Sequence, residues 1–500
     1  MTERGGLDMT RTARMNARST IDSAPAFSVR PKWLLAVGLI VTALLGATSV
    51  FSPLPLVAAV GLAGFLALST KTGIDTASLT AAILIFSMTG FASRLGSLGN
   101  LLTTGAAVLV VAVFAARIQN IKVDASARIG FGIFITVGLI FLVINFTRNA
   151  EYAVLGWISL VMPVIAFCAA VGTLARIYED PARYQRSKNV LLSAMLFGVL
   201  VNIALGMRQA FFGLTGVEVA TVVSNGSTYL VGQQERSIGA FESSQTYGLF
   251  MALVAPFLLF YAFEYRGWRR STLFALGVLA TAAVYLSLLR GAVFGVFAAI
   301  VIGLIIPSGA RKSAKVWIAL TFSTVAFAAF FLVESSSGNE RWSAAKDRVL
   351  SIFDLSNDTS FNARSSETLP IAIAAFRENI WGLGGGAAGP ISERFPSVAP
   401  LGTIVTDNGY LNLGIQLGLI GFFGLAVCFV YLIRTLWRGS SNLSRGSLLI
   451  LVALLTAMFF SGYWNLTGPM VIGATLVAVG FVERSRCDRL SESESCDLSN

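Results

Sequence analysis

Arg290 is the first residue of this 500-residue chain that invites a chemical reading. It lies in SLLRGAVFG and is the one charged side chain between residues 271 and 307. At about 1.5 Å per helical residue that stretch extends about 55 Å, two bilayer crossings with almost no loop between them. The guanidinium then sits in or just below the outer headgroup layer. It is either an arginine snorkelling at a hairpin tip or an anion site that grips phosphate in bidentate fashion. Asp407, in TDNGYLNLGIQLGLIG, directly precedes a long apolar run. It is either the N-cap of that helix or a general base at the membrane surface, taking a sugar hydroxyl's proton. A helix N-terminus would stabilise its charge and attract a phosphate. The stretch ERSIGAFESSQTYG, from Glu235, also leads into an apolar run. It is either a polar lead-in capped by Ser243 or Ser244, or it places Arg236 and Gln245 over the outer mouth.

Other patterns exclude more than they suggest. The chain has no histidine, so it lacks the commonest transition-metal ligand, the usual neutral-pH base and any Ser-His-Asp triad. Cys168 and Cys428 lie in apolar runs, and Cys487 and Cys496 lie in the charged C-terminal segment, so no disulfide framework is implied. Asp354 to Asp358 lacks the Gly and closing Glu of a calcium loop, and no D-x-D pair is present. No metal and no cofactor are expected. Gly384, Gly386 and Gly389 fit G-x-G-x-x-G, but without a preceding strand. That segment is either a flexible turn or a loop whose amides approach a phosphate.

The elements that must position these residues follow from composition. The chain is 55% hydrophobic and 13% charged, against about 25% charged in soluble domains. A water-soluble enzyme is excluded, and the expected fold is an all-α polytopic membrane protein. Apolar runs of about 20 residues suit bilayer-spanning helices. They occur near 33–51, 54–70, 77–93, 98–116, 129–146, 153–174, 189–207, 245–263, 271–289, 291–307, 316–333, 409–433, 447–463 and 467–482, giving about 14 spans with 12–14 as the range.

Basic residues set the orientation. Arg4, Arg11, Arg14, Arg18, Arg30 and Lys32 crowd the segment 1–32, read as a disordered cytoplasmic tail. Most other Lys and Arg fall in alternate segments 117–128, 175–188, 264–270, 308–315, 434–445 and 483–500. Both termini are therefore expected to be cytoplasmic, with residues 483–500 a short disordered tail. Spans 1–11 would occupy 33–333, interrupted by a small outer loop at 208–244. A large outer loop would fill 334–408, and the last three spans 409–482. That large loop contains an amphipathic stretch at 341–353 and a helical one over Thr368–Ile380. The net charge of +11 is spread between apolar runs and does not indicate nucleic acid. No acidic residue falls in the middle of a span, which argues against a proton relay through the bilayer.

Three polar members now line up in order: Arg290 in SLLRGAVFG, Arg364 in NARSSETLPIAIAAF, and Asp407 in TDNGYLNLGIQLGLIG. The set resembles the O-antigen ligase / Wzy-type polysaccharide polymerase superfamily over roughly residues 230–435. In that family an S-R-G-A-like motif opens a span, a second arginine follows in a large periplasmic loop ahead of a glycine turn, and H-N-x-Y or D-N-x-Y enters a helix. Ligases usually carry histidine where this chain has Asp407, whereas exopolysaccharide polymerases often show D-N-x-Y. Leu289 replaces the usual serine before the arginine. The resemblance implies a GT-C-like glycosyltransferase architecture in the bacterial inner membrane, with the site facing the periplasm. It implies metal-independent, inverting transfer between undecaprenyl-pyrophosphate-linked glycans, one donor and one acceptor; whether a chain-length regulator binds stays open. Arg290 and Arg364 would hold the pyrophosphate, and Asp407 would orient or deprotonate the acceptor. Arg236, Gln245, Asn408, Tyr410 and Arg377 are the substrate-binding candidates. Two other activities stay open: ligation of the glycan to lipid A core or protein, and flipping of a lipid-linked glycan without bond formation.

Overall fold

The computed structural model describes residues 64–306 and 366–497, except 96, 122, 225–229, 232–233, 367, 404–405 and 440. Two units are distinguished, residues 1–70 and 71–500, and every labelled element belongs to the second. Its helices are α1 (Ile74–Phe86), α2 (Thr89–Arg94), α3 (Ser97–Arg117), α4 (Ala125–Phe146), α5 (Ala150–Ile177), α6 (Pro181–Phe212) and α7 (Gly216–Ser224). After a two-residue antiparallel ladder, β1 (Leu230–Val231) with β2 (Gln234–Glu235), come α8 (Ser244–Tyr261), α9 (Trp268–Leu286) and α10 (Arg290–Ile305). The described chain then continues with α11 (Leu369–Glu378), α12 (Pro390–Arg394), α13 (Gly409–Trp437), α14 (Asn442–Ala457) and α15 (Thr467–Asp497).

The protein is all-α and polytopic, as its composition requires. Six described helical stretches are long and apolar enough to cross a bilayer, and α1, α10 and α14 are shorter apolar helices. The apolar runs at 33–51 and 316–333, most of 54–70, the tail 1–32, the amphipathic stretch at 341–353 and Arg364 lie outside the described residues. The helix expected over Thr368–Ile380 is α11, with Pro370 in its first turn, where a missing N–H costs nothing.

Helix starts are set by local chemistry. Asn149, Asp180, Ser243 and Ser441 each accept an amide from the first turn of α5, α6, α8 and α14. Packing then relies on small residues, as it does where lipid supplies no hydrophobic contrast between helices. A Cβ on Gly130 of α4 would lie 2.8 Å from the Gly424 carbonyl of α13, and one on Gly295 of α10 2.6 Å from the Ala453 carbonyl of α14.

The segments expected on the cytoplasmic side gather at one end of the bundle. Asp75 pairs with Arg117 at 2.5 Å and Arg176 at 3.9 Å, while Glu483 pairs with Lys188 at 3.1 Å and accepts from the Tyr184 hydroxyl at 2.6 Å. The C-terminal segment differs from expectation, because α15 continues through Asp497. The ion pair at Glu483 anchors the start of that extension.

The outer loop expected at 208–244 is also reshaped. α6 runs on to Phe212, so Arg208 belongs to a helix. Residues 237–241 are buried inside the bundle, with Ile238, Ala240 and Phe241 each 0% exposed. Irregular backbone survives there only if its polar groups are satisfied. Gln209 Oε1 accepts the Ile238 and Gly239 amides at 2.9 and 2.8 Å, and Asn202 Oδ1 accepts the Ala240 amide at 2.8 Å. Two polar side chains on apolar α6 therefore stitch the loop into the core.

Candidate functional site

The site is built on the turn between α14 and α15, residues 458–466. From one element, Gly409 donates its amide to the Met458 carbonyl at 2.7 Å, and the Tyr410 ring packs on Phe459 with centroids 4.7 Å apart. From another, Phe294 of α10 stacks on Phe460 at 4.7 Å and 9°. A Cβ on Gly291 would meet Phe460 Cβ at 2.8 Å and the Tyr463 hydroxyl at 3.0 Å. Arg290 immediately precedes Gly291, and Asp407 stands two residues before Gly409. The first turns of α10 and α13, 119 residues apart in sequence, thus share one platform.

Arg290 starts α10 as its position between two apolar runs predicts. The reversal from α9 takes three residues, and Leu288 adopts a left-handed backbone (φ +55°), strained for a branched side chain. Ser237 donates its amide to the Leu286 carbonyl at 3.3 Å, which brings Arg236 next to this reversal. Gly248 of α8 packs there too, since a Cβ on it would lie 2.5 Å from Ser287 Oγ. Gln245 is exposed in the first turn of α8, behind the Ser243 cap, and Arg377 is exposed in the last turn of α11. Arg364 is not among the described residues; Arg236 adjoins the reversal that precedes Arg290, and the helix starts that follow Arg290 and Asp407 pack on the same turn.

The N-cap of α13 is Asn408, and Asp407 is not the cap. Asn408 Oδ1 accepts the Tyr410 and Leu411 amides at 3.0 and 3.1 Å. Its Nδ2 reaches the Phe459 carbonyl at 3.5 Å, and the Tyr410 hydroxyl donates to the Leu455 carbonyl at 2.6 Å. The polar atoms of the N-x-Y pair are thus engaged in holding the helix start against the turn. The acidic side chain beside them is released from that task.

No spacing in the chain pointed to a second carboxylate near Asp407. Glu393 of α12 lies close enough that the Asp407 carboxylate adds to the larger effect of desolvation, and together they raise the Glu393 carboxyl above its usual range. α12 is placed by Gly389, which has φ +85° and leaves no room for a Cβ: one would sit 2.8 Å from Asn465 Nδ2.

The glycine stretch is neither a flexible turn nor a phosphate loop. α13 breaks at Gly418 (φ +64°, ψ −177°), which frees backbone groups on both sides. The Leu383 and Gly384 amides donate to the Ile415 and Gln416 carbonyls at 2.9 and 2.8 Å, and the Leu419 amide to Ile380 at 2.9 Å. Gly386 donates to Gln416 Oε1 at 2.9 Å. These amides are therefore engaged by α13 and cannot cradle an anion. Close contact explains the missing side chains, since a Cβ on Gly385 would lie 2.3 Å from the Gly156 carbonyl of α5.

A buried amide cluster locks these pieces together. Asn412 Nδ2 donates to Thr406 Oγ1 at 2.9 Å, Asn465 Nδ2 to Asn412 Oδ1 at 2.9 Å and to the Ala388 carbonyl at 3.4 Å, and Gln416 Nε2 to Asn412 Oδ1. Asn412 and Gln416 are both 0% exposed. Sequence reasoning missed them, although polar residues four apart in an apolar run were the visible signal. The assembly places the first turn of α10, which Arg290 opens, and the start of α13, which follows Asp407, on one turn held by a buried amide cluster.

Residues 275–426 match a family model described as O-antigen ligase. The match begins within α9 and ends within α13, so it contains Arg290, Arg364, Glu393 and Asp407. No curated protein matches the chain.

Proposed function

We propose that this protein, which residues 275–426 place in the O-antigen ligase/Wzy superfamily, joins glycan units carried on a polyprenyl diphosphate into a surface polysaccharide. The reaction would occur at the periplasmic face of the bacterial inner membrane, with both termini in the cytoplasm. The observation that carries this reading is that α10 and α13 bring the turns holding Arg290 and Asp407 onto one platform. The substrate has a long apolar tail, which suits a reaction centre at bilayer level.

In the proposed step, a hydroxyl oxygen of the acceptor glycan attacks the anomeric carbon of the donor. The bond from that carbon to the diphosphate oxygen breaks, and the anomeric configuration inverts. Asp407 takes the hydroxyl proton. Arg290, with Arg364 and Arg236, holds the charge that grows on the departing diphosphate, which is electrostatic stabilisation of the transition state. The diphosphate carries its own activation, so neither a nucleotide sugar nor a metal is needed. Asn408 and Tyr410 fix the helix start that aims Asp407, while Gln245 and Arg377, both exposed, contact the glycan.

The test is elongation of short lipid-linked repeats by full-length protein carrying Arg290→Gln or Asp407→Asn. Accumulation of single repeats is expected for each variant. Normal extension by either would remove that residue from the mechanism. Transfer of the glycan to lipid A core or protein, without joining repeats, would instead identify a ligase. Movement of the lipid-linked glycan across vesicles without bond formation would identify a flippase.

A further inference from the structure

A second concentration of positive charge lies where α2, α6 and α7 meet. The Glu218 carboxylate accepts from the Arg208 guanidinium, from Gln209 Nε2 at 2.9 Å, and from the Thr215 amide and hydroxyl at 2.7 and 3.0 Å. Arg94 Nη2 lies 3.6 Å from the same carboxylate, within ion-pair range but beyond a hydrogen bond. One carboxylate therefore serves two guanidiniums. Burial by itself pushes the Glu218 carboxyl up, but these donors outweigh it and hold the group at about 2. At neutral pH the trio carries one uncompensated positive charge.

That excess falls on Arg94. Its Nε and Nη2 are buried, and neither has a hydrogen-bond partner among the described residues. Its Cζ stands 4.9 Å from the centre of the Phe91 ring, a cation–π contact. Nε and Nη2 form one side of the guanidinium fork, the side that meets two phosphate oxygens at once. Leaving both donors unmet is costly unless a ligand takes them. The side chain as a whole is 19% exposed, while these two nitrogens are covered.

The trio is also joined to the candidate site. Gln209 bonds Glu218 on one side and the Ile238 and Gly239 backbone on the other. Gly90 of α2 donates to the Ala240 carbonyl at 2.8 Å. The buried loop 237–240 therefore separates Arg94 from Arg236 and ends at the turn before Arg290.

We propose that Arg94 and Arg208 form a second phosphate-group site, which takes the diphosphate of the acceptor lipid. This rests on the glycan-joining reading. Both substrates of such a reaction carry a diphosphate, but the two groups have different fates. The donor's diphosphate leaves from the reacting carbon and must lie beside Asp407. The acceptor reacts at the far end of its glycan and keeps its diphosphate, so that group belongs at the same end of the bundle but away from Asp407. Arg94 and Arg208 occupy such a place.

The test uses full-length protein in nanodiscs and a short-chain polyprenyl diphosphate. Wild-type protein should bind two equivalents. Arg94→Gln should weaken one of them roughly tenfold or more, the size expected for a lost charge-assisted contact. With a lipid-diphosphate acceptor, its KM should rise by at least as much, a larger change than any in kcat. Arg94→Lys keeps the charge but not the fork and should show an intermediate loss, which preserves the test if Arg94→Gln does not fold. Wild-type affinity at both equivalents in the two variants would overturn the proposal. Equal binding of inorganic pyrophosphate would show a site for the free anion and overturn the acceptor assignment. Two-equivalent binding that depends on Arg94, in a wild-type protein that joins no glycans, would leave the anion site standing and sink the glycan-joining reading instead.

Discussion

Asn408 Oδ1 accepts the Tyr410 amide at 3.0 Å, and with it the Leu411 amide at 3.1 Å, so the residue after Asp407 closes the first turn of α13. Capping and charge are thereby divided between neighbours. Asn408 satisfies orphan amides, and Asp407 stands beside it at the same positive helix end without capping it.

This division predicts opposite phenotypes for adjacent substitutions. Asn408→Ala should destabilise the protein by about 1 kcal/mol, the usual value of a lost cap. Asp407→Asn should leave the thermal midpoint almost unmoved but lower glycan elongation by about a hundredfold or more, the scale of a missing general base. Thermal unfolding and an elongation assay on the same two preparations separate these effects. A midpoint that fell more for Asp407→Asn than for Asn408→Ala would reverse the assignment.

The break in α13 predicts a strict requirement for glycine. Gly418 has φ +64°, and a Cβ on it would lie 2.2 Å from the Trp381 carbonyl carbon. Gly384 has φ +93°, and a Cβ there would lie 2.4 Å from Asn145 Nδ2. Either position changed to alanine carries about 1–3 kcal/mol of backbone strain before any overlap is counted. Both variants should show a sharply lower folded yield in size-exclusion chromatography. Gly132→Ala, where a Cβ meets nothing within 4 Å, serves as the control and should behave as wild type.

Gln416 is the member of the amide cluster that reaches the glycine stretch. Gln416→Leu has a similar volume but strands the Gly386 amide and removes a donor to Asn412. Each buried polar group left unmet costs about 1–3 kcal/mol. The thermal midpoint should fall accordingly. Hydrogen exchange at the Gly386 amide should rise more than at any other, because that amide loses its partner directly.

Glu218 predicts an acid sensitivity with a defined sign. Its carboxyl is held at about 2, below the ordinary value of about 4.3 for the unfolded chain. The folded state therefore binds its proton less readily than the unfolded one. The stability this contributes is full above about pH 4.3 and is lost as pH falls towards 2. Glu218→Gln should lower the midpoint at pH 7 and flatten its fall between pH 5 and 3. An unchanged slope would show that the Arg208 and Gln209 contacts do not carry that linkage.

Much of the fold was legible because bilayer solvation is a local demand. A run such as 153–174 must be helical to satisfy its own backbone in lipid, whatever its neighbours are. α5 covers it, as α8 covers all but the last two residues of 245–263 and α13 covers 409–433. The reversal at Arg290 was legible for the same reason, since one charge in 37 apolar residues has to lie near a surface.

What escaped the sequence depends on distant partners. The glycine stretch read as an open turn until the break at Gly418 supplied carbonyls for its amides. Glu393 showed no relation to Asp407 until Gly389 and Asn465 fixed α12. Arg94, Arg208 and Glu218 looked like separate loop charges, and only the packing of α2, α6 and α7 made them one cluster.

The amino-acid order by itself determined that this chain is a helical membrane protein and that apolar runs such as 153–174 and 409–433 are helices. Only the tertiary structure decided that Asn408 rather than Asp407 caps α13, that the glycine stretch is sealed by α13, and that the first turns of α10 and α13 pack on the 458–466 turn. The reason is physical. Burial of an apolar helix is rewarded residue by residue, whereas a hydrogen bond or an ion pair exists only where packing has already brought both partners within reach.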